Sequence, residues 1–225
     1  AHVPANDIDA LTEAVANLNP AGIMLECVQG EGGVNPLTPE FVRAAARLCS
    51  DNDIPLMIDE VQTGNGRTGR LYAYQHFGIS PDIVSTAKGL GGGLPIGATL
   101  MSEKVQNVLQ PGDHGSTYGG NPVCCAGALS VIGRLDDDFL ASVRRKSDYV
   151  FAALANAPGI ESVSGLGMMI GIKTAKPAKE VVSKCLERGV LCLTAKDKVR
   201  LLPALNIPMD DLCRALDVLK EVCAE

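Results

Sequence analysis

Two short apolar runs, "IPLMIDE" at residues 54–60 and "PDIVSTAKGLGGG" at residues 81–93, decide the fold class. Each has the length of a buried strand and ends in charged side chains, Asp59 and Glu60 in the first run and Lys88 in the second. Open parallel sheets place ligand-binding side chains just beyond the carboxyl ends of their strands. We therefore expect these carboxylates and this amine to lie at the same edge of one sheet.

The alternation of strands and helices continues on both sides of these runs. Residues 22–28 and 96–101 predict two more strands, and residues 6–18 predict an amphipathic helix. Thr38 followed by Pro39 predicts the start of another helix, because these residues favour the N-cap and first-turn positions. The pattern indicates an α/β fold with a largely parallel sheet covered on both faces.

The character of the sequence changes after Asn121. Residues 121–157 predict one long helix, and "IESVSGLGMMIGIKT" at 160–174 predicts a glycine-rich pair of strands. A helix at 177–188, a strand near 190–193, the segment "VRLLPAL" at 199–205 and a helix at 209–223 follow. We therefore predict two domains, 1–135 and 136–225, the second a small α+β domain.

Composition excludes several classes of function. The net charge of −6 argues against nucleic-acid binding, and no apolar run is long enough to cross a bilayer. The basic residues at 144–146 follow acidic residues at 136–138, which predicts a solvated helix face. Eight cysteines without a C-x-x-C pair, and only three histidines, predict no metal site and a reducing, cytoplasmic environment.

Two glycine-rich segments resemble nucleotide-binding motifs only superficially. "GNGRTG" at 64–69 has the G-x-G-x-x-G spacing, but it follows its strand too loosely for a phosphate turn, so a surface turn is favoured. "GLGGGLPIG" at 89–97 fits neither that motif nor a P-loop. We expect its glycines to let the backbone pack closely beside Lys88.

Asp59 and Lys88 indicate chemistry only when they are considered together. Taken alone, Asp59 fits a capping role as well as a functional one. Lys88 taken alone fits a surface lysine better than a functional one. Pyridoxal phosphate would explain both, because its aldehyde condenses with a lysine and its ring nitrogen is kept protonated by an aspartate. The pair therefore favours this cofactor.

Four stretches carry a resemblance to a known family. They are "LECVQGEGGVNPLTPEF" (25–41), "LMIDEVQTGNGRTGRLYAYQHFGISPDIVSTAKGLGGGLPIGA" (56–98), "HGSTYGGNP" (114–122) and, more weakly, "VRLLPAL" (199–205). Over essentially its whole length the chain resembles the class III, fold-type I pyridoxal-phosphate aminotransferases. The resemblance implies the later part of a mainly parallel-sheet large domain followed by a small α+β domain.

The resemblance implies roles for five residues around the cofactor. Lys88 resembles the lysine that forms the imine with pyridoxal phosphate and later transfers a proton, and Asp59 resembles the partner of the ring nitrogen. Val61 resembles a residue that packs on the ring, and Gln62 the donor to the phenolic oxygen. Glu60 belongs to the same motif and is expected to orient these residues.

The resemblance also implies residues that bind substrate and the cofactor phosphate. Thr117 is expected on the phosphate and Ser116 near the substrate, both in a loop that reaches into the partner subunit of a homodimer. Arg200 resembles the arginine that binds a substrate carboxylate, and Glu31 the glutamate that pairs with it. Because the residues after Arg200 depart from the family pattern, a surface salt bridge is the alternative interpretation of that arginine.

The activity implied is transfer of an ω-amino group, with N-acetylornithine as the expected donor and 2-oxoglutarate as the acceptor, in arginine biosynthesis. Ornithine, succinylornithine and 4-aminobutyrate remain alternative donors, and a non-catalytic, dimerising fragment is the alternative from another class. The family's phosphate-binding loop, its aromatic residue on the cofactor and its arginine for the donor carboxylate are expected upstream of Ala1. The chain is thus expected to be part of a longer protein.

Overall fold

The computed structural model describes all 225 residues of the chain. In chain order the helices and strands are α1 (Ile8–Leu18), β1 (Ile23–Leu25), β2 (Val28–Gln29), β3 (Asn35–Pro36), α2 (Pro39–Asp51), β4 (Leu56–Asp59), β5 (Ile83–Thr86), β6 (Ala98–Met101), α3 (Pro122–Ile132), α4 (Asp137–Leu154), β7 (Ile160–Leu166), β8 (Met169–Thr174), α5 (Ala178–Glu187), β9 (Leu193–Ala195), β10 (Lys198–Leu201) and α6 (Met209–Ala224). Short 3-10 helices occupy Ala73–His76 and Lys88–Gly91.

The chain forms two compact units. The first comprises Ala1–Cys27, Leu37–Asn65 and Arg70–Asp136, and the second comprises Val28–Pro36, Gly66–Gly69 and Asp137–Glu225. The last change of unit lies one residue from the predicted boundary at 135/136, and two short segments from the amino-terminal half join the second unit. The predicted pair of domains itself stays a prediction.

The first unit contains a four-stranded sheet in the order β1-β4-β5-β6. β4 pairs in parallel with β1 and with β5, whereas β6 pairs with β5 in the antiparallel direction. The register places Asp59 opposite Ser85. The predicted α/β fold with a largely parallel sheet is therefore confirmed, with one antiparallel edge.

Local signals account for the two helices that pack against this sheet. Asp7 caps α1 by accepting a hydrogen bond from the backbone N–H of Ala10, and Thr38 caps α2 by accepting one from Phe41. The apolar faces of both helices bury side chains against the strands. Each large apolar side chain that is fully buried contributes about 1.5–3 kcal/mol to the free energy of folding. The core contains Leu11, Val15, Phe41, Val42, Ala45, Cys49, Ile54, Leu56 and Ile58.

The predicted strand over 22–28 is wrong in its second half. β1 ends at Leu25, and Val28 begins a separate two-stranded antiparallel pair, β2 with β3. The backbone carbonyl of Cys27 accepts a hydrogen bond from the N–H of Leu37 rather than from a neighbouring strand of the sheet. The apolar run thus serves two different sheets, which its hydrophobicity alone does not distinguish.

The predicted helix over 121–157 is also interrupted. α3 ends at Ile132, where the backbone N–H of Gly133 bonds to the carbonyl of Leu129, and α4 starts five residues later at Asp137. Asp137 and Asp138 occupy the first turn of α4, where carboxylates stabilise the positive end of the helix dipole. The break lies between a glycine and these acids.

The second unit is built on an antiparallel sheet in the order β7-β8-β10-β9. Helices α4, α5 and α6 bury their apolar faces against it in one core. Its fully buried members include Val143, Val150, Leu154, Ile170, Ile172, Val181, Val199, Leu216 and Leu219. The predicted strand pair at 160–174 and the helices at 177–188 and 209–223 are confirmed within a few residues, whereas the strand predicted near 190–193 begins only at Leu193.

Lys146 corrects the prediction of a solvated basic face on α4. Arg144 and Arg145 are exposed, but Lys146 is only 8% exposed and its Nζ donates to the carbonyl of Leu205 at 2.8 Å. Burial, followed by the charge of Arg145, lowers the pKa of Lys146. The cluster therefore combines two surface arginines with one buried lysine.

Three general features concern the chain as a whole. None of its helices combines the length and apolar composition needed to span a membrane. No group of three or more histidine, cysteine, aspartate or glutamate side chains is arranged to hold a metal ion. All eight cysteines are free thiols.

Candidate active site

Asp59 is the last residue of β4, and two hydrogen bonds hold its carboxylate in place. Its Oδ1 accepts hydrogen bonds from the backbone N–H of Val61 at 2.9 Å and from the hydroxyl of Ser85, its register partner on β5, at 3.1 Å. Both donors are neutral, and the carboxylate is half-buried. The fold thus fixes a negative charge at the carboxyl end of the sheet without a protein cation to balance it.

Lys88 follows β5 and begins the 3-10 helix Lys88–Gly91. Its φ of 48° lies in the left-handed region, which is uncommon for a residue with a side chain and marks local backbone strain. The lysine is exposed and forms no salt bridge. Because β4 and β5 are parallel neighbours, Asp59 and Lys88 are presented at one edge of the sheet, as predicted.

Asn65 is a site residue that the sequence analysis missed. Its Nδ2 donates to the hydroxyl of Thr86 and to the carbonyl of Ala87, both at 3.1 Å, so it fixes the two residues before Lys88. Its Oδ1 is buried and has no hydrogen-bond partner within the chain. The only signal in the sequence is an asparagine between two glycines. In the structure the φ values of Asn65 and Gly66 are 55° and 86°, in the region that asparagine and glycine tolerate best.

The segment "GNGRTG" is therefore not the surface turn that the sequence favoured. Residues 63–66 are buried, and so are Thr68 and Gly69. The guanidinium of Arg67 donates to the carbonyls of Met168 at 3.2 Å and Pro203 at 2.6 Å, and burial lowers its pKa to about 10. The glycines let this segment enter the interior, where its polar side chains find backbone partners.

Glu60 follows Asp59 directly, and its side chain points into the protein. It is completely buried, and its carboxylate accepts hydrogen bonds from the hydroxyl of Thr63 and the backbone N–H of Tyr74. Burial raises its pKa, and these hydrogen bonds oppose the rise. Glu60 thus holds the turn that carries the half-buried Val61 and Gln62, rather than facing the sheet edge itself.

The glycines after Lys88 allow α3 to pack against the lysine's 3-10 helix. A Cβ at Gly127 would lie 2.7 Å from Cδ1 of Leu94 and 3.1 Å from the carbonyl oxygen of Gly91. A Cβ at Gly91 would lie 2.8 Å from Cγ2 of Ile96. These distances confirm the expected close packing beside Lys88.

Ser116 and Thr117 lie in an exposed loop, and the hydrogen bonds to Asp59 come from Val61 and Ser85 rather than from them. The loop is closed by a backbone hydrogen bond from Gly119 to the carbonyl of Ser116. The resemblance assigns these side chains to the active site of a partner subunit. That assignment stays a prediction.

Within the second unit, Arg200 and Glu31 form an ion pair. Nη1 of Arg200 lies 2.7 Å from Oε1 of Glu31, and the arginine is only 9% exposed whereas the glutamate side chain is 75% exposed. Nε of Arg200 is buried without a partner. The arginine of this ion pair is therefore buried and only its glutamate lies at the surface, and the carboxylate-binding role of Arg200 stays a prediction.

The hairpin that carries Glu31 approaches β8 closely. A Cβ at Gly171, the register partner of Arg200, would lie 2.8 Å from Cβ of Val34 and 3.1 Å from Oγ of Ser164. The hydroxyl of Ser164 also donates to the carbonyl of Val34. The glycine therefore lets the Glu31 hairpin lie directly on the sheet that holds Arg200.

Asp59 and Lys88 together suit pyridoxal phosphate. A carboxylate balanced only by neutral donors fits a cationic ring N–H, and an exposed amine without a salt bridge fits an aldehyde. The unpartnered Oδ1 of Asn65, beside the residues before Lys88, is a further acceptor for a polar group. The residues of this chain therefore fit the cofactor.

Comparison with known sequences identifies one family. The family described as aminotransferase class-III matches residues 2–223. An acetylornithine aminotransferase from Haemophilus ducreyi is 49% identical over 226 residues, and one from Methanocaldococcus jannaschii is 41% identical over 233 residues. In both cases the match covers 100% of this chain and 58% of the relative, so the chain spans little more than half of their length.

Solved structures agree with these matches. N-acetylornithine aminotransferase from Stenotrophomonas maltophilia superposes with a TM-score of 0.90 at 33% identity, over 100% of this chain and 62% of that one. Ornithine aminotransferase from Toxoplasma gondii gives 0.91 at 34% identity, over 97% and 54%. Another structure of the Toxoplasma enzyme is described as having partial occupancy of pyridoxal phosphate at its active site. The predicted fold class and family are confirmed.

Proposed function

The chain belongs to the class-III aminotransferase family, whose cofactor is pyridoxal phosphate, and we propose that it is part of an enzyme that transfers the distal amino group of N-acetylornithine to 2-oxoglutarate. The observation that carries this proposal is the placement of Asp59 and Lys88 at the ends of adjacent parallel strands, each without a protein charge to balance it. The names of the relatives support the substrate.

Pyridoxal phosphate, when bound, supplies an electron sink for the carbon that bears the reacting amine. Asp59 would hold the ring N–H, and its carboxylate would keep that proton in place. Nζ of Lys88 would hold the cofactor through its aldehyde group and, as a free amine, would accept the proton from the carbon that bears the reacting amine. Val61 would pack on the ring and Gln62 would donate to its oxygen, while Glu60 keeps their turn in position.

Arg200 would bind the carboxylate of the amino acceptor. While the donor reacts through its distal amine, Glu31 occupies the guanidinium, and the 2-oxoglutarate carboxylate then replaces it. The exposed side chain of Glu31 and the buried arginine support this exchange, because the glutamate can rotate into solvent while the arginine stays fixed. One pocket can thereby serve two different substrates.

The same proposal includes a homodimer with shared sites and a cytoplasmic location. Thr117 of one subunit would hold the cofactor phosphate of the other, and Ser116 would lie near the substrate. Exposed apolar side chains support a covered surface nearby, since Tyr118 and Leu129 are 82% and 72% exposed. Eight free thiols support a reducing compartment.

Substitution of Lys88 tests the proposed chemistry. In the full-length protein, Lys88→Ala should remove both transamination and the absorbance band of protein-linked cofactor, because no other amine is presented at this sheet edge. Lys179→Ala, which removes an exposed lysine of α5, is the matched control and should keep both. Wild-type transamination by the Lys88 variant would refute the proposal.

A panel of donors tests the substrate. Rates with N-acetylornithine, ornithine, succinylornithine and 4-aminobutyrate, each with 2-oxoglutarate, should give the highest kcat/KM for N-acetylornithine. Ornithine is the strongest competitor, because ornithine aminotransferases are among the structural neighbours. A higher kcat/KM for ornithine would reassign the donor while leaving the reaction type unchanged.

A further inference from the structure

Lys198 lies on the same strand as Arg200, two residues earlier. Because side chains alternate along a strand, Lys198 and Arg200 project from the same face of β10. The lysine is half-buried, and its Nζ donates to Oδ1 of Asn35 at 3.0 Å and to Oγ of Ser164 at 2.9 Å. Both acceptors are neutral, so the ammonium is held firmly without a carboxylate.

This leaves an excess of positive charge beside Arg200. Lys198 and Arg200 each carry a positive charge, and the carboxylate paired with Arg200 is that of Glu31. Asp197, which precedes Lys198 in sequence, forms an ion pair with Lys173, and the hydrogen bond and charge of Lys173 and, to a smaller extent, the charge of Lys198 lower its pKa. When a substrate carboxylate takes the place of Glu31, it therefore meets a face that carries two cations.

Lys198 also supports the turn that carries Glu31. Asn35, which accepts from Lys198, donates through its Nδ2 to the carbonyl of Gly32 at 2.9 Å. Gly32 follows Glu31 directly in the chain. Two side chains on the same face of β10 thus hold the same hairpin. Arg200 does so through its ion pair with Glu31, and Lys198 does so through its hydrogen bond to Asn35.

We propose that Lys198 is a positioning and specificity-determining residue of the carboxylate site, whose positive charge favours a dicarboxylate acceptor at Arg200 over the return of Glu31. This inference rests on the proposed function for the reacting acceptor and for the exchange of Glu31 at Arg200. The same charge also stabilises Glu31 on the arginine, but a dicarboxylate carries two negative charges and Glu31 carries one, so the gain is larger for the acceptor. Residues two apart on a strand lie about 7 Å from each other, close enough for a unit charge to matter.

Glutarate, a dicarboxylate that cannot react, is the probe. Calorimetric titration of the full-length protein should show binding that Lys198→Gln weakens about three- to tenfold, while Lys198→Arg, which keeps the charge, stays within about twofold of wild type. Lys179→Gln removes an exposed lysine and should leave the Kd unchanged. Added salt should weaken binding by Lys198→Gln less than binding by wild type.

Equal affinities of wild type and Lys198→Gln would overturn the inference, and so would the absence of glutarate binding by wild type. Equal losses in Lys198→Gln and Lys198→Arg would show a purely structural role and would also overturn it. Asn35→Asp places a carboxylate on Nζ and should weaken glutarate binding as well, which keeps a test available if Lys198→Gln fails to fold.

Kinetics separate this inference from the proposed function. Lys198→Gln should raise the KM for 2-oxoglutarate about three- to tenfold and change the rate of the donor half-reaction by less than that. If wild type does not transaminate but binds glutarate through Lys198, the proposed function fails and the inference stands. If wild type transaminates and Lys198→Gln has an unchanged KM, the inference fails alone.

Discussion

Two groups of charged side chains, one in each unit, treat charge in opposite ways. At the sheet edge of the first unit, Asp59 is held by neutral donors and Lys88 forms no salt bridge. In the second unit, Arg200 is paired with Glu31 at 2.7 Å. Unbalanced charges suit a group that stays bound through a whole reaction cycle, whereas a paired charge with an exposed partner suits a ligand that comes and goes.

The largest expected effect comes from removing the charge of Asp59. Asp59→Asn keeps an oxygen acceptor for Ser85 and Val61, so the fold should be unaffected, but a neutral amide cannot hold a ring N–H in its cationic form. We expect activity to fall about 10²–10⁴-fold with little change in Tm. Ser85→Ala, which removes one hydrogen bond to the carboxylate, is the control.

A loss of less than tenfold in Asp59→Asn would contradict the assignment of this carboxylate to the cofactor ring. Ser85→Ala should cost less than Asp59→Asn, because the backbone N–H of Val61 still holds the carboxylate. Steady-state rates and thermal unfolding of both variants make the comparison.

Substitution of Arg200 should affect the acceptor and spare the donor. Arg200→Lys keeps a charge but loses the planar fork, and we expect the KM for 2-oxoglutarate to rise about 10–100-fold. Glu31→Gln should lower that KM, because it removes the internal competitor for the guanidinium. Half-reaction kinetics check both changes, and equal losses in the donor and acceptor steps would contradict the exchange.

Asn65 should stabilise the fold through its hydrogen bonds to the two residues before Lys88. Asn65→Ala removes two hydrogen bonds in a buried setting, and we expect a loss of about 1–3 kcal/mol in the free energy of unfolding. Asn52→Ala removes one exposed bond to the carbonyl of Leu48 and should cost less than about 1 kcal/mol. Denaturant titrations measure both, and equal losses would contradict the role of Asn65.

The smallest effect concerns the pH dependence of stability through Glu60. Because burial raises its pKa in the folded state, the stability linked to its proton is present below about pH 4.3, the ordinary value, and is lost as pH rises through the folded pKa. Glu60→Gln lacks this loss. The stability of the variant relative to wild type should therefore increase as pH rises from 4 to 7, and a constant difference would contradict it.

Much of the first unit could be predicted from local signals. The Thr38 cap and the apolar strands that end at Asp59 and before Lys88 are encoded within short windows, so their positions were predictable. The placement of Asp59 and Lys88 at one edge of the sheet followed from the rule that neighbouring parallel strands end at the same edge. These predictions needed no knowledge of side-chain contacts.

The remaining features depend on contacts between distant residues. Asn65 meets Thr86 and Ala87 across 21 and 22 positions, and Lys198 meets Asn35 across 163. The buried Lys146 donates a hydrogen bond to a carbonyl 59 positions away. A residue's own neighbours in sequence carry no signal of such partners, so these roles became visible only in the structure.

The most direct test of unbalanced charge at the sheet edge is to map where the cofactor attaches. The full-length protein is incubated with pyridoxal phosphate, reduced with borohydride, digested and analysed by mass spectrometry. We predict one phosphopyridoxyl group per chain, on the peptide that contains Lys88, and none on that peptide in Lys88→Ala. Modification of exposed lysines such as Lys179 to the same extent as Lys88, or of other lysines alone, would contradict the account.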